Sequence, residues 1–427
     1  MATRNSHSAS AASAASAAEA PASQGVEGMS ELHVREGTDK EGIYFKPQSK
    51  LMQRLFEKPV KALRRRSHFL RTPWWARNGH VNTLVSHFFR GTRGHPGEGY
   101  KRMSIKTDDG GTISVDVTNF QGEEQKTSNP FVVMIAGLGG SSADPYTLAM
   151  SSAVTSRGWK SAVLNMRGTG EGPVTSGRLF SARRGSTDDV RHVIKELKSQ
   201  GVIGEAQPVF GIGWSLGGCI MNNTILEQDD EMKGGGGVRI EAAAALGAPY
   251  DLQKSSEVLK PFPNWVYSAR MGQGLVKILK PVAHNFDGVK RNYVGEDFSF
   301  DAEKIYASKS IREFDEALTA PYFGFASATQ YYNYSSPGPR FSSVSPAVPL
   351  CIISGKFSLL TSSSSSSSIV FLTNFMLLLS FGRPSRWHRR HSIRSGEAES
   401  KRAARCNAAR GASGLVRRRR EGLRVRL

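Results

Sequence analysis

The middle of the chain alternates between two kinds of hydrophobic pattern. Short, continuous apolar runs are typical of strands buried on both faces of a parallel sheet. Longer amphipathic stretches are typical of helices that cover such a sheet. The predicted strands are FVVMIAGLGG, KSAVLNMRG, PVFGIGWS and VRIEAAAALGAPYDL. Strands that alternate with helices over this length predict an α/β fold, with a mostly parallel sheet and helices on both faces.

The helices between these strands are predicted from periodicity and capping residues. In STDDVRHVIKELKSQ the apolar residues share one face, as expected of an amphipathic helix. These residues are Val190, Val193, Ile194 and Leu197. Ser186, with Asp189 three residues later, predicts the N-terminal cap of this helix. Further helices are predicted from about Asp144 to Arg157 and over LGGCIMNNTILEQ.

The pattern changes at both ends of this region. Before it, two strand-like runs flank the turn signal Asp108-Asp109-Gly110-Gly111 and predict a hairpin. After it, residues 252–345 contain aromatic residues, prolines and short helical stretches, which predict a helical cap inserted over one edge of the sheet. The run VPLCIISG, residues 348–355, restores a buried strand. We therefore predict one α/β domain over residues 100–355, with the cap at about 252–345.

The N-terminal region lacks this pattern. Residues 1–40 are rich in Ala and Ser and have no apolar core of the secretory type, so we predict a disordered segment, with an organelle transit segment as the alternative. Residues 41–99 mix aromatic and basic residues, including Trp74 and Trp75. This arm is predicted to pack along the edge of the domain, and the alternative is a peripheral contact with a membrane surface.

Basic charge is concentrated at the C-terminal end. The 427-residue chain has a net charge of +20, and residues 356–427 contribute +13 of it. The rest of the chain is therefore only mildly basic, and we do not expect nucleic acid as a partner. The alternative is a basic tail that binds nucleic acid or anionic lipid. The apolar run Ile369–Phe381 in this tail is shorter than the ~20 residues that span a bilayer.

Cysteine usage favours an intracellular protein. Cys219, Cys351 and Cys406 form neither a paired framework nor a metal-ligand spacing, so we expect a reduced compartment and no metal. The expected location is the cytoplasm or a membrane surface inside the cell.

The strongest chemical signal is Gly213-Trp214-Ser215-Leu216-Gly217, between a predicted strand and a predicted helix. Serine hydrolases present the nucleophilic hydroxyl on a sharp strand-to-helix turn, where small residues on either side avoid steric clashes. Ser215 is therefore the predicted catalytic nucleophile. The N–H of Leu216, at the start of the helix, would face the developing oxyanion. A second donor normally comes from the loop after an earlier strand, and Gly137-Leu138-Gly139-Gly140 makes Leu138 our candidate.

Taken together, these motifs resemble those of the α/β-hydrolase-domain proteins that include plant embryogenesis-associated hydrolases and animal and bacterial lipid esterases. The resemblance covers about residues 70–355 and rests on NGHVNT (78–83), GLGGSSADPY, NMRG, GWSLG, GAPYDL and REFDEALTAPYFGFASATQYYNYSS. Within the last of these, Phe314-Asp315 and Tyr331-Tyr332 fit the cap. The resemblance implies an α/β-hydrolase fold, esterase or acylglycerol/phospholipid lipase activity, a Ser–Asp–His triad and no cofactor.

The chain departs from this family after residue 355. The family places Asp-Asp-Pro just after the strand that matches VPLCIISG, and Gly-Gly-His near the C-terminus. Here the strand is followed by Lys356-Phe357 and a polyserine run. In the chain as written, Asp251 and His284 are the remaining candidates for the acid and the base, because they follow Ser215 in the order that this fold uses. His284 lies in the predicted cap, where a solvated or packed histidine is the simpler interpretation.

A retained intron followed by a frameshift would explain this departure. The codons of Gly355-Lys356-Phe357 can contain a splice-donor sequence, and the codon of Ser380 can supply an acceptor. The joined message can then be read as Asp-Asp-Pro, and the codons of residues 410–416 as Gly-Gly-His, in one frame and in the family's order. We hypothesise that residues 356–427 are mistranslated and that the gene encodes the complete triad.

Two classes of function follow from these observations. The first is a serine hydrolase that cleaves lipid or small acyl-ester substrates through an acyl-enzyme on Ser215. The second is a catalytically impaired binding protein with a hydrolase fold, because the chain as written lacks the expected Asp and His.

Overall fold

The predicted α/β domain is described almost throughout. This computed structural model describes residues 100–118, 129–233, 237–343, 348 and 350–353. The predictions for residues 1–40 and 41–99, for the tail 356–427 and for its apolar run lie outside these residues.

A seven-stranded sheet forms the centre of the domain, in the order β1-β2-β4-β3-β5-β6-β7. Its strands are β1 Tyr100–Lys106, β2 Thr112–Thr118, β3 Phe131–Ile135, β4 Lys160–Leu164, β5 Val209–Trp214, β6 Ala242–Leu246 and β7 Leu350–Ile353. Strands β3 to β7 run parallel to one another. Strands β1 and β2 form the predicted antiparallel hairpin, and β2 pairs antiparallel with β4. The predicted mostly parallel sheet is confirmed.

Helices cover both faces of this sheet. They are α1 Pro145–Thr155, α2 Ser186–Ser199 and α3 Leu216–Lys233. Successive side chains of a strand point to opposite faces, and in the central strand β3 every residue is at most 2% exposed. Val133 belongs to the apolar cluster that includes Val193 of α2, whereas Met134 belongs to the cluster that includes Tyr146 of α1.

All of the described elements between β6 and β7 are helical. They are α4 Leu252–Val258, α5 Asn264–Leu279, a 3-10 helix Lys280–Phe286, α6 Ala302–Tyr306, α7 Ile311–Phe314, a π-helical turn Asp315–Thr319, α8 Ala320–Tyr322, α9 Ala328–Ser335 and α10 Pro337–Ser343. The longest of them, α5, contributes Leu275, Val276 and Leu279 to the same apolar cluster as Val133. This helical region is therefore joined to the sheet through a shared core.

The N-terminus of α2 differs from the prediction. Gly185, with φ +80°, precedes the helix, and its N–H donates to the carboxylate of Asp188 at 3.0 Å. The hydroxyl of Ser186 instead accepts from the Ser181 N–H at 2.8 Å, and Asp189 binds two arginines. The predicted Ser186–Asp189 cap is wrong because contacts with residues outside the helix occupy both side chains.

Candidate active site

Ser215 lies on a strained turn between β5 and α3. Its φ angle is +50°, in the left-handed region that residues with a side chain rarely adopt. Its N–H donates to the carbonyl oxygen of Leu246 at 3.0 Å, and its carbonyl oxygen accepts from the Cys219 N–H at 3.0 Å. These bonds fix the backbone on both sides of the serine. The side chain is therefore held at the carboxyl end of a central strand.

Two glycines allow this turn. A Cβ on Gly213 would lie 2.2 Å from the carbonyl oxygen of Gly217, and a Cβ on Gly217 would lie 2.3 Å from the carbonyl oxygen of Ala136. Both distances are far below van der Waals contact, and the obstructing atoms are backbone. Only glycine fits at either position, as the sequence motif predicts.

The two residues predicted to donate to the oxyanion, Leu138 and Leu216, lie near Ser215. The N–H of Leu216 is in the first turn of α3, where a helix offers no acceptor of its own. Leu138 lies in the loop after β3, which passes so close that a Cβ on Gly137 would be 3.2 Å from the Cβ of Ser215. Leu138 and Leu216 line the same cavity as Ser215. The structure thus brings together the predicted nucleophile and both predicted oxyanion donors.

Hydrogen bonds inside the Gly-rich loop hold its shape. The Gly140 N–H donates to the Gly137 carbonyl oxygen at 2.8 Å, and the Gly137 N–H donates to the Tyr146 hydroxyl at 3.0 Å. That hydroxyl donates to the carboxylate of Asp144 at 3.2 Å, which also accepts from the Ser141 N–H at 3.0 Å. The first residues of α1 therefore position the loop that lies against Ser215.

A buried carboxylate, Asp116, connects the same loop to β2. It accepts hydrogen bonds from the Ser142 hydroxyl, from the Asn165 amide at 2.8 Å and from Arg102 at 2.8 Å. Burial alone would raise the pKa of Asp116, but these hydrogen bonds and the charge of Arg102 outweigh it and lower the pKa. Sequence reasoning did not identify Asp116, although an acid inside the apolar strand TISVDVT was the available signal.

Arg167, from the NMRG motif, joins the hairpin turn to α2. It is 3% exposed and donates to Asp189 at 2.8 and 2.9 Å and to Asp109 at 2.8 Å. Arg178 also pairs with Asp189 at 2.9 Å. None of these residues lines the cavity with Ser215. The network is a structural support for the sheet edge.

Ser215 lies in the wall of a cavity of about 400 Å³. The helices between β6 and β7 supply much of the wall, and their apolar contribution includes Leu252, Met271, Leu275, Ile278, Phe286 and Leu318. Polar residues such as Arg312 and Asp315 are interspersed among them. The cavity therefore combines the side chain of Ser215 with a largely apolar wall.

Comparison with known proteins agrees with this geometry. The family model described as alpha/beta hydrolase fold matches residues 130–246, which contain both the Gly-rich loop and the Ser215 turn. The chain has an α/β-hydrolase fold. The fold expected from the sequence is confirmed, and the proteins to which the chain is similar support the expected family.

Two of three proteins to which this chain is similar are named as lipid hydrolases. It is 29% identical over 285 residues to embryogenesis-associated protein EMB8 of Picea glauca, covering 64% of this chain and 57% of that protein. It is 27% identical over 221 residues to monoacylglycerol lipase of Saccharomyces cerevisiae, covering 51% of this chain and 45% of the relative. It is 28% identical over 282 residues to phospholipase ABHD3 of Homo sapiens, covering 65% of this chain and 63% of that protein. The chain thus spans between 45% and 63% of the length of these relatives.

A buried carboxyl group also lies in the cavity wall. Asp315 is 8% exposed and accepts a hydrogen bond of 2.7 Å from the Tyr332 hydroxyl. Burial raises the pKa of Asp315 to about 6, although hydrogen bonds from Thr319 and Tyr332 and the charge of Arg312 act in the opposite direction. Sequence reasoning placed Asp315 in the cap but assigned it no role. The sequence offered little signal for it, because Asp315 is one of three acids around Phe314, with Glu313 and Glu316.

Asp251 and His284 lie elsewhere. Asp251 caps α4, where its carboxylate accepts from the Lys254 N–H at 2.8 Å and lies 3.6 Å from the Lys254 ammonium. His284 is exposed, in the 3-10 helix Lys280–Phe286. Neither residue lines the cavity that contains Ser215. The structure therefore does not bring this pair of candidates to the serine.

Cys219 is close to Ser215 in sequence but does not compete with it as a nucleophile. Its side chain is fully buried, and its sulfur lies 3.6 Å from the carbonyl oxygen of Ser335. Burial raises the pKa of Cys219 to about 12, although the charges of Arg183 and Arg340 oppose this. The thiol is therefore neutral near pH 7, and a neutral thiol is a poor nucleophile.

Neither a metal site nor a membrane span is found in the described part of the chain. No group of three or more His, Cys, Asp or Glu residues is arranged there to hold a metal ion. No helix among these residues is both long enough and apolar enough to cross a bilayer.

Proposed function

We propose that this α/β-hydrolase is a serine hydrolase that cleaves carboxylic esters of lipids, of the acylglycerol or phospholipid type, through an acyl-enzyme on Ser215. The observation that carries the proposal is the position of Ser215, on a left-handed turn in the wall of a cavity of about 400 Å³. Backbone strain of this kind is concentrated at functional sites. The turn exposes the serine hydroxyl to whatever occupies the cavity.

In the first half-reaction, Ser215 Oγ bonds to the ester carbonyl carbon while a general base takes the hydroxyl proton. The N–H groups of Leu138 and Leu216 donate to the carbonyl oxygen as it gains negative charge, and removing one such donor typically costs ~10²–10³-fold in rate. The base returns the proton to the leaving alcohol as the C–O bond breaks. Water then attacks the acyl-enzyme with the help of the same base, which releases the carboxylic acid and restores the hydroxyl.

The cavity wall favours a lipid acyl chain over a small polar ester. Met271, Leu275 and Ile278 from α5 line it together with other apolar residues, and transfer of an acyl chain from water to such a wall is favourable by ~0.8 kcal/mol per CH₂ group. The yeast relative is named a monoacylglycerol lipase and the human relative a phospholipase. These names support lipid ester substrates.

The base and the acid of the triad are proposed to come from the spliced reading of the gene. The described residues contain two histidines, His192 and His284, and neither lines the cavity. A ring nitrogen of His192 lies 2.7 Å from the carbonyl oxygen of Lys106 instead. We propose that the restored Asp-Asp-Pro and Gly-Gly-His motifs supply the acid and the base. The chain as written would keep the nucleophile but turn over slowly, because loss of a triad member typically costs ~10⁴-fold or more.

A binding protein that uses the same cavity is the second candidate function. The observation that favours it is that no histidine of the described residues lines the cavity. Without a base the Ser215 hydroxyl keeps its proton, so an acyl ester or a fatty acid would be bound without being cleaved.

Two forms of the protein separate these candidates: the chain as written and the form translated from the spliced reading. We expect the spliced form to hydrolyse p-nitrophenyl butyrate and octanoate and to be labelled by a fluorophosphonate, and Ser215→Ala to abolish both properties. Ser268→Ala, at another serine in the cavity wall, is the matched control and should retain them. The chain as written should show neither property at a comparable rate.

Other outcomes assign the function differently. Equal, Ser215-dependent activity in both forms would show that the written chain already contains its base, and Asp251 and His284 would be the first residues to replace. Absence of activity from both forms, together with retained binding of a fluorescent fatty acid, would refute the hydrolase and favour the binding protein.

A further inference from the structure

The cavity opens to solvent beside the N-terminal end of α5. A residue that both lines a cavity and is exposed to solvent lies at its mouth. Among the lining residues these are Lys260, Trp265 and Glu313. Two of the three belong to the segment that leads into α5 and its first turn, so this segment forms one rim of the mouth.

Exposed apolar side chains are clustered on the same rim. Phe262 is 82% exposed, and Trp265 and Val266 are each 48% exposed. Single exposed apolar residues are ordinary on a protein surface, but a cluster beside a cavity indicates an interaction site. The large exposed apolar residues elsewhere among the described residues, Val294 and Ile352, are far apart in sequence.

The two sides of α5 have different chemistry. One side lines the cavity through Ser268, Met271, Leu275 and Ile278. Exposed residues at spacings of four, three and four form a stripe on the other side, namely Val266, Arg270, Gln273 and Lys277. The helix therefore separates the cavity from a solvent-facing surface that carries positive charge.

The exposed side of α5 is cationic. From residue 258 to residue 286 the chain contains the cations Lys260, Arg270, Lys277 and Lys280 and no Asp or Glu. The nearest acid before this interval, Glu257, pairs with Lys260 at 2.6 Å. On the opposite rim, Glu313 accepts from the N–H of Lys309 at 2.9 Å. Arg270 and Lys277 are exposed and remain available to an anionic partner.

We infer that this surface, the docking face, places the protein on an anionic lipid bilayer with the cavity mouth directed toward the lipid. The docking face consists of Lys260, Phe262, Trp265, Val266, Arg270 and Lys277. Aromatic and aliphatic residues at the tip of a cationic helix are the features by which proteins bind the interfacial region of such membranes. Each Lys or Arg near an anionic bilayer strengthens binding about fivefold.

The charge of the docking face argues against the other occupants. A second copy of this chain would bring two cationic surfaces together, which costs free energy. Nucleic acid would pair with the cations but would leave Phe262 and Val266 in water. An anionic bilayer can bind both the cationic and the apolar residues of the docking face. Its headgroups pair with the cations, and its acyl region accepts the apolar side chains.

The benefit of docking rests on the proposed lipid substrate, whereas the docking itself does not. With the mouth against the bilayer, an acyl chain would move from the lipid into the apolar cavity without crossing water. Trp265, which both lines the cavity and is exposed, lies at the point of transfer.

The test measures co-sedimentation of the full-length chain with vesicles of phosphatidylcholine, with and without phosphatidylserine. The Ser215→Ala background prevents any hydrolysis of the vesicles, so the result does not depend on the proposed function. We expect binding to the phosphatidylserine vesicles that weakens as salt is added. Phe262→Ser/Val266→Ser and Arg270→Glu/Lys277→Glu should each lower the partition coefficient by about tenfold or more.

The matched controls make the same types of substitution at exposed positions outside the docking face. Val294→Ser removes an apolar side chain that is 46% exposed, and Lys101→Glu/Lys195→Glu reverses two exposed charges on β1 and α2. Both controls should bind vesicles like the parent. Circular dichroism and thermal unfolding of all variants confirm that each is folded.

Several results would overturn the docking face. Parent-like binding by both docking-face variants would do so, and loss of binding on Trp74→Ser/Trp75→Ser alone would move the contact to the N-terminal arm. Equal binding to both kinds of vesicle would remove the role of charge. A change in oligomeric state of the variants, without any change in vesicle binding, would assign the face to a contact between copies.

Discussion

Tyr332 donates a hydrogen bond of 2.7 Å to Asp315, and both residues line the cavity that contains Ser215. A substrate in the cavity would therefore share its compartment with a carboxyl group whose pKa burial raises to about 6. This group changes its protonation state in a pH range in which most proteins stay folded. The Asp315 carboxyl is thus a titratable group in the cavity wall that is not part of the proposed triad.

Replacing Asp315 should change how stability depends on pH. The pKa rises from its ordinary 3.8 to about 6 in the folded protein, so the folded state holds the proton more tightly than the unfolded state does. The contribution of Asp315 to stability is therefore greatest below about pH 4 and is lost as the pH rises to about 6, by up to about 3 kcal/mol. Asp315→Asn, which keeps an acceptor for Tyr332, should gain stability relative to the parent over this range.

The measurement is urea unfolding of the parent and of Asp315→Asn at pH 4 and at pH 7. Asp287→Asn, which replaces an exposed carboxyl outside the cavity wall, is the control and should follow the parent. If the difference between Asp315→Asn and the parent is the same at both pH values, the raised pKa is refuted.

The glycines around Ser215 should not tolerate a side chain. Gly213→Ala would place its Cβ 2.2 Å from the Gly217 carbonyl oxygen, so we expect a loss of at least about 3 kcal/mol or no soluble protein. Gly274→Ala in α5 is the control, because a Cβ there meets nothing within 4 Å. It should stabilise the protein by up to about 1 kcal/mol through helix propensity. Chemical denaturation of both variants tests this prediction, and equal stability would contradict the tight turn.

The buried arginine network should make a large contribution to stability. Arg167→Ala removes one of the two arginines that pair with both Asp189 and Asp109, and breaking a buried ion pair typically costs ~3–5 kcal/mol. Arg291→Ala removes a pair in which both side chains are mostly exposed, and it should change stability by less than about 1 kcal/mol. Unfolding free energies from urea titration distinguish the two, and similar small losses would show that the network is dispensable.

Tyr146 should position the Gly-rich loop, which carries the proposed oxyanion donor Leu138. Tyr146→Phe removes the acceptor of the Gly137 N–H, so in the spliced form we expect kcat for a short ester to fall about tenfold, with KM little changed. The loss of a buried hydrogen bond also costs about 1–3 kcal/mol of stability. Tyr334→Phe, at a tyrosine whose ring packs against Arg183, is the control. A purely structural role would lower stability while leaving kcat unchanged.

The parts of the fold that could be predicted from sequence are those with local signals. Continuous apolar runs such as FVVMI marked the buried strands, and the glycines around Ser215 marked the turn, because both depend on neighbouring residues. The predicted cap of α2 failed because Asp189 instead binds Arg167 and Arg178, which lie before the helix in sequence. The Asp315–Tyr332 pair joins short helices whose periodicity is too brief to show which residues face inward. The sequence pattern therefore does not predict contacts between residues of different elements.

Screening a library of variants of this protein for heat resistance alone would favour variants that lack the Ser215 hydroxyl. Glycine adopts a φ of +50° without strain, so Ser215→Gly would relieve about 1 kcal/mol or more of backbone energy. The same change removes the hydroxyl on which the proposed reaction depends. Directed evolution of the spliced form therefore needs a covalent label of the serine in every round, because thermal survivors will include variants that have lost the hydroxyl of Ser215.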